Sequence, residues 1–341
     1  MKAMILAAGY GTRLRPLTYT RPKPMVTICN RPLIGYAIES FISIGVTEII
    51  INLHHLPQAI ERFVLDTYGA QCRFHFSLEP EILGTGGGVR KVKPLLENEK
   101  EFYLVNGDTV QFPPYEALQE ARRSIDALAA LTLRHSPEGD RFTPVWFEDG
   151  LITGFGKGRG EALMFSGSHL ISSRIFRYLP NKEFSGIVDE VYIPVIGQGK
   201  EKIAAVVDES FWYDIGTPDR YISAHRGVLE LTVAGKIPLM PGSRVFRDSV
   251  IDLSATIHGK VARSSVDARS YLSREADLRD SIVGSDCRIS GDVELDSCIV
   301  DDGVEIMHPL ELRKAVICRE NDWIPRDAPY RYEKGLVIAS F

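Results

Sequence analysis

Between Val266 and Ile317 the chain repeats itself every 17 residues, and this repeat limits the possible folds more than any other feature of the sequence. Val266, Val283, Val300 and Ile317 form one column. Leu272, Ile289 and Ile306 form a second, and Leu278, Leu295 and Leu312 a third. Within a coil the aliphatic positions are six apart, as in Val266, Leu272 and Leu278. Ile251 and Ile257 begin the series one coil earlier. Three inward corners per coil describe a triangular parallel β-helix, in which each aliphatic side chain stacks on its counterpart in the next coil. One coil cannot bury its own corners, so several must stack. Antiparallel strands would not keep three columns in one register.

The first 240 residues follow a different rule. Met4 to Ala8 is an apolar run stopped by glycine, which suits a buried parallel strand. Leu33 to Ile44 has apolar residues at helical spacing and ends at Gly45. Strand-like runs follow at Glu48 to Leu53, Cys72 to Ser77, Phe102 to Val105 and Ala129 to Arg134, with helical patterns at Gln58 to Tyr68 and Tyr115 to Leu128. This alternation predicts an α/β domain, a Rossmann-like, mostly parallel sheet with helices on both faces. Composition changes near Pro238–Gly242, so the expected division is 1–238 and 239–341. In open α/β sheets ligands bind at the carboxyl ends of strands. The Gly9–Arg13 turn and Asp108 both fall at such ends.

Composition narrows the function. The net charge of −5 lacks the basic surplus of a nucleic-acid binder. Five cysteines without a CxxC pair give neither a zinc site nor a disulfide framework. The apolar start, Ala3 to Ala8, is cut short by Gly9-Tyr10-Gly11-Thr12-Arg13, so a signal peptide is not expected there. No apolar run approaches the roughly 20 residues needed to span a bilayer. The expectation is a cytoplasmic protein that binds neither nucleic acid nor membrane.

The chemistry concentrates in Leu6-Ala7-Ala8-Gly9-Tyr10-Gly11-Thr12-Arg13-Leu14-Arg15-Pro16-Leu17-Thr18. Gly9 and Gly11 allow the backbone to approach a phosphate with its N–H groups forward. Arg13 can add a forked, charge-assisted contact. The string has no Gly-Lys-Ser/Thr ending, so it is not a Walker loop, and residue 14 is not the third glycine of a dinucleotide fingerprint.

Together with Arg21-Pro22-Lys23-Pro24-Met25, LGTGGG at 83–88, VNGD at 105–108 and WYDIGTPDRY at 212–221, this string resembles the nucleotide-diphospho-sugar pyrophosphorylases. The motifs cover residues 1–230 in the family's order. The C-terminal repeat resembles the left-handed, hexapeptide-repeat β-helix that many members carry.

The resemblance implies a sugar-1-phosphate nucleotidyltransferase whose partners are a nucleoside triphosphate and a sugar 1-phosphate. It implies a Mg²⁺ held by Asp108 and Asp214, with Lys23 at the reacting phosphates and Arg13 near the departing pyrophosphate. It places the nucleotide on Leu6, Ala8, Gly9, Gly11, Thr12, Arg13, Glu79, Gly84, Thr85, Gly107 and Asp108. The Gly84–Gly88 stretch would be a loop under the base, with Glu79 accepting from guanine N1–H and N2–H₂ or from uracil N3–H. Lys23, Gly86, Lys157 and Gly167 would face the sugar phosphate.

Where many members have Glu-Lys-Pro, this chain reads Gly154-Phe155-Gly156-Lys157-Gly158-Arg159-Gly160. That absence, with Thr-Gly-Gly-Gly, resembles the muramate-phosphate uridylyltransferases. LEPEILGTGG is more similar to the mannose- and heptose-phosphate guanylyltransferases, and GTP is preferred on that ground. A non-catalytic sugar-nucleotide sensor and an acyltransferase built on His258 or His308 are the competing readings. The expected role of the β-helix is an oligomerisation platform for a homo-oligomer, or a lid.

Overall fold

The computed structural model describes residues 1–137 and 142–341. Two compact units emerge: Met1–Gly9 with Ile34–Trp212, and Tyr10–Leu33 with Tyr213–Phe341.

The first unit is built on a nine-stranded sheet. Its strands are β1 (Lys2–Leu6), β2 (Glu48–Leu53), β3 (Arg73–Leu78), β4 (Glu101–Asn106), β5 (Ala129–Arg134), β6 (Pro144–Glu148), β7 (Leu151–Phe155), β8 (Glu161–Ser172) and β9 (Ile203–Val207). They lie in the order β3-β2-β1-β4-β8-β5-β9-β7-β6. The first four run parallel, as their apolar runs predict. The long strand β8 then enters antiparallel to both β4 and β5, and β9 is again parallel to β5. The sheet is therefore parallel around β1 and mixed beyond it. β8 was not anticipated from the sequence.

Helix α1 (Leu33–Ser43) ends in a turn where Gly45 is left-handed, at φ 79°, and Val46 N–H donates back to Phe41. Helix α2 (Pro57–Tyr68) starts with proline in its first turn, where no N–H is missed, and buries Ile60 and Val64. Met4, Ile50, Phe102, Leu104, Leu131 and Ile171 form the centre of this unit's core.

In the second unit the 17-residue repeat becomes strand register. Val266 pairs with Val283, Val283 with Val300, and Val300 with Ile317. Leu272, Ile289 and Ile306 align in a second parallel sheet, and Leu278, Leu295 and Leu312 in a third. These side chains form the core of a parallel β-helix, with Leu312 half-buried against it. The third column extends one coil earlier than the sequence reading placed it, because Val261 pairs with Leu278. The stack is closed at both ends by antiparallel strands, Ser243–Phe246 and Leu336–Ser340. All five cysteines are buried as free thiols.

Candidate functional site

In the first unit the carboxyl end of β1 is a crossing point. Leu6 lies in register with Asn52 on β2 and Asn106 on β4. Asn52 bridges two segments. Its Oδ1 accepts from Ala7 N–H at 2.8 Å, and its Nδ2 donates to Glu79 Oε1 at 2.8 Å. Glu79 Oε2 accepts from Leu83 N–H at 2.9 Å. Glu79 is 1 % exposed. Its two oxygens therefore brace the turn that leads into the glycine-rich stretch.

That stretch is not a loop. Gly84–Lys91 forms a short helix, α3, with the glycines in its first turns. The neighbours explain why glycine is needed. Gly84 has φ 72°, and a Cβ there would lie 2.6 Å from Ser185 O. A Cβ on Gly86 would lie 2.8 Å from Ser185 Oγ, and one on Gly87 2.7 Å from Glu183 O. Thr85 Oγ1 accepts from Ile187 N–H, so its hydroxyl serves the fold.

Gly107 N–H donates to Leu6 O at 2.8 Å, so backbone meets backbone beside Asp108. Asp108 is half-buried in the turn after β4. Gly167, on β8, has φ 92°, and a Cβ there would strike Asn106 Nδ2 at 2.5 Å. Ser168 Oγ donates to Gln111 Oε1, and Gln111 Nε2 donates to Thr109 Oγ1, so a buried polar network lies behind this surface. Lys157 is exposed on the turn after β7. Asn52 and Gln111 belong to no motif, and sequence reasoning missed both.

The second unit gathers the charge. Gly11, left-handed at φ 62°, begins a short turn over Thr12–Leu14. A Cβ on it would come within 3.0 Å of Lys23 Cβ. Lys23 follows Pro22, which has φ −68°, and opens a turn over Lys23–Met25. It is 8 % exposed, and its Nζ lies 3.9 Å from Asp214 Oδ1. Asp214 ends the strand Trp212–Asp214, and helix α5 (Pro218–Val233) starts just beyond it, capped by Thr217 Oγ1. Helix α4 (Tyr115–Ser124) lies between α3 and α5 in the chain. From the first turn of α5, Arg220 Nη1 reaches Asp214 Oδ2 at 2.5 Å. A Cβ on Gly216 would lie 2.8 Å from Asp214 Oδ2 and 2.9 Å from Arg13 Nη1, so both crowd one face of that glycine.

Lys23 and Arg220 both reach the Asp214 carboxylate, and Arg13 crowds the same face of Gly216, a grouping of three cations suited to a polyanion. Arg220 was not among the expected residues. The chance to find it lay inside WYDIGTPDRY, six positions after Asp214 on the first helical turn.

Asp108 in the first unit and Asp214 in the second each offer hard carboxylate oxygens, the ligand type that Mg²⁺ prefers. Among the described residues no group of three or more His, Cys, Asp or Glu side chains could hold a metal by itself.

A parallel sheet with a glycine turn at the end of β1, and a cationic cluster carried on the segment that follows it, defines a nucleotide-handling α/β enzyme. The comparison with known proteins sharpens the class. The family described as Nucleotidyl transferase matches residues 2–230, and the chain belongs to that family of enzymes. It is 29 % identical over 322 residues to mannose-1-phosphate guanylyltransferase 1 of Arabidopsis thaliana, covering 90 % of this chain and 80 % of that one. It is 29 % identical over 272 residues to mannose-1-phosphate guanyltransferase 2 of Candida glabrata, covering 75 % and 72 %. Among solved structures, HddC from Yersinia pseudotuberculosis complexed with GMP-PN is similar at a TM-score of 0.56 and 25 % identity, over 67 % of this chain and 99 % of that one. Among the described residues no helix is long and apolar enough to cross a membrane.

Proposed function

We propose that the protein is a sugar-1-phosphate guanylyltransferase that converts GTP and mannose 1-phosphate, or a heptose 1-phosphate, to the GDP-sugar and pyrophosphate. The observation that carries this reading is the grouping of Lys23 and Arg220 on Asp214 with Arg13 beside them at Gly216. The similarity to mannose-1-phosphate guanylyltransferases supports the choice of sugar and base.

The reaction needs no general base. A sugar 1-phosphate is largely dianionic at neutral pH, since its second pKa is about 6. Its oxygen is already the nucleophile. The protein has to hold two polyanions together and align attack opposite the leaving pyrophosphate. In this reading Lys23 stabilises charge developing on the α-phosphate, and Arg13 receives the departing pyrophosphate. Asp108 and Asp214 are the proposed ligands of Mg²⁺. When bound, the metal would neutralise triphosphate charge.

The backbone of Leu6, Ala8, Gly9, Gly11, Thr12 and Gly107 lines the nucleotide. Gly84 and Thr85, braced by Glu79, support the base. Gly86, Lys157 and Gly167 are assigned to the sugar-phosphate side. We assign 1–238 to catalysis and 239–341 to the β-helix, whose exposed Leu253, Met307 and Phe246 we propose as contacts in a homo-oligomer. A cytoplasmic location suits the soluble substrates.

The test is pyrophosphate release across GTP, UTP, ATP, CTP and dTTP, each with mannose, heptose, glucose and muramate phosphates. GTP with mannose or heptose 1-phosphate is expected to lead. A UTP optimum would move the protein to the uridylyltransferases. Tight nucleotide binding without release from any pair would make it a sensor.

A further inference from the structure

The segment that carries Arg13 and Lys23 is fastened to the β-helix. Arg21 Nη2 lies 2.9 Å from Asp301 Oδ1 and makes a second, closer ion pair with Asp302. Thr20 Oγ1 donates to Asp301 Oδ2 at 3.4 Å. Nine residues on, Asn30 sits at the tip of a hairpin between Thr27–Ile28 and Arg31–Pro32, left-handed at φ 62°. Its Nδ2 donates to Val266 O at 3.1 Å and to Ser243 Oγ at 3.2 Å. Arg31 Nη2 donates to Pro238 O at 2.7 Å.

The receiving carboxylates are themselves fixed. Asp301 N–H donates to Ile317 O in the next coil. Asp302 Oδ1 accepts from Ser285 N–H in the coil before. Asp301 is 9 % exposed. Burial alone would weaken the hold of Arg21 on its proton, but Asp301 and Asp302 outweigh it, and the guanidinium stays charged.

Arg21 and Asp301 are largely buried, at 14 % and 11 % side-chain exposure, while Asp302 is half exposed, and a largely buried pair of this kind adds little net stability over an apolar replacement. What it provides is one geometry, because Arg21 or Asp301 alone would be a stranded charge. Arg21 is joined to Lys23 through Pro22, and Pro24 follows. Proline fixes φ, so this stretch has little freedom to absorb a displacement.

We propose that Arg21, Asp301 and Asp302 are positioning residues for the transfer reaction, through which a β-helix coil sets the position of the Lys23 ammonium. The proposal rests on the phosphate role given to Lys23 above. It gives the β-helix a part in turnover that neither a platform nor a lid would have.

The test pairs kinetics with a readout that needs no substrate. In full-length Asp301→Asn/Asp302→Asn, kcat for pyrophosphate release should fall about tenfold to a hundredfold while KM for the nucleotide moves much less, the pattern of a misplaced catalytic group. Hydrogen exchange should rise across residues 20–28 while residues 282–300 stay protected. Arg21→Gln, which leaves the coil's own hydrogen bonds intact, should reproduce both effects, and Arg21→Lys should recover part of the loss. Wild-type kcat in Arg21→Gln with unchanged exchange across 20–28 would overturn the proposal. So would a double variant that loses activity only because its coils unfold while Arg21→Gln stays fully active. If the wild-type protein releases no pyrophosphate at all, the functional reading fails, and exchange across 20–28 still decides whether the anchor exists.

Discussion

The glycine-rich first turns of α3 and the segment Tyr10–Leu33 both carry signature motifs, yet opposite physics holds them in place. The α3 turn is a neutral structure. Its glycines lie against the Ser185 and Glu183 backbone, and its approach is braced by Glu79 and Asn52. The Tyr10–Leu33 segment is a charged one. Its Lys23 leans on Asp214, and its own anchor is the ion pairing of Arg21 with Asp301 and Asp302. The difference matches the two tasks in the proposed reaction. A base is read by shape and hydrogen bonds, which backbone supplies. A triphosphate is read by charge, and like charges must be held together before the substrate arrives, which requires interleaved carboxylates.

If that contrast holds, substitutions in the two regions separate in kind. The largest effect is expected for Lys23→Met. It removes the proposed charge at the α-phosphate and keeps the aliphatic stem. Turnover should fall by about a hundredfold to a thousandfold, the cost of losing one preorganised electrostatic group, with little change in melting temperature. Pyrophosphate release beside a thermal melt measures both. A loss under tenfold would remove Lys23 from the chemistry.

Gly84→Ala should do the reverse. A side chain at φ 72° costs about 1–2 kcal/mol, and overlap with Ser185 O adds about 1–3 kcal/mol. Urea denaturation should show that loss of stability, with KM for the nucleotide raised and kcat changed far less. A collapse of kcat at unchanged stability would mean that the glycine turn takes part in phosphate chemistry, and the contrast between the regions would be lost.

How much of this was legible in the sequence differs between the same regions. The β-helix columns could be read off because each coil repeats the same register, so periodicity and pairing are one fact. Val261 escaped because its neighbours in the first coil do not continue the pattern clearly. The family resemblance implies a loop at Gly84, and four glycines in eight residues have poor helix propensity, but packing against Ser185 overrides that preference. β8 was missed because its antiparallel entry depends on partners on both sides. The motifs named Arg13, Lys23 and Asp214. They did not name Asp301, which Thr20 meets across 281 residues of sequence. A partner fixed only by the winding of a distant coil leaves no local spacing to read.

The smallest expected effect tests what a carboxylate does in this unit without an arginine of its own. Asp267 follows Val266 in the same stack. Its carboxyl is pushed up to about 6, first by burial and further by Asp302 and Asp252, while Ala268 N–H and Arg21 oppose the shift without cancelling it. The folded value lies above the ordinary value of about 3.9, so the folded chain holds this proton more tightly than the unfolded chain does. The charged form is therefore the penalised one. The penalty is absent below about pH 4, grows between about 4 and 6, and is complete above 6. That difference corresponds to about 3 kcal/mol, and partial exposure reduces this to about 1–2 kcal/mol. Asp267→Asn keeps an acceptor for Ala268 N–H, now at 2.8 Å, and removes the titration. The variant should match the wild type in denaturant stability at pH 4 and exceed it at pH 8, with turnover unaltered. Equal stability at both pH values would mean that Asp267 shares Arg21 after all. The positioning charge would then extend to a third carboxylate.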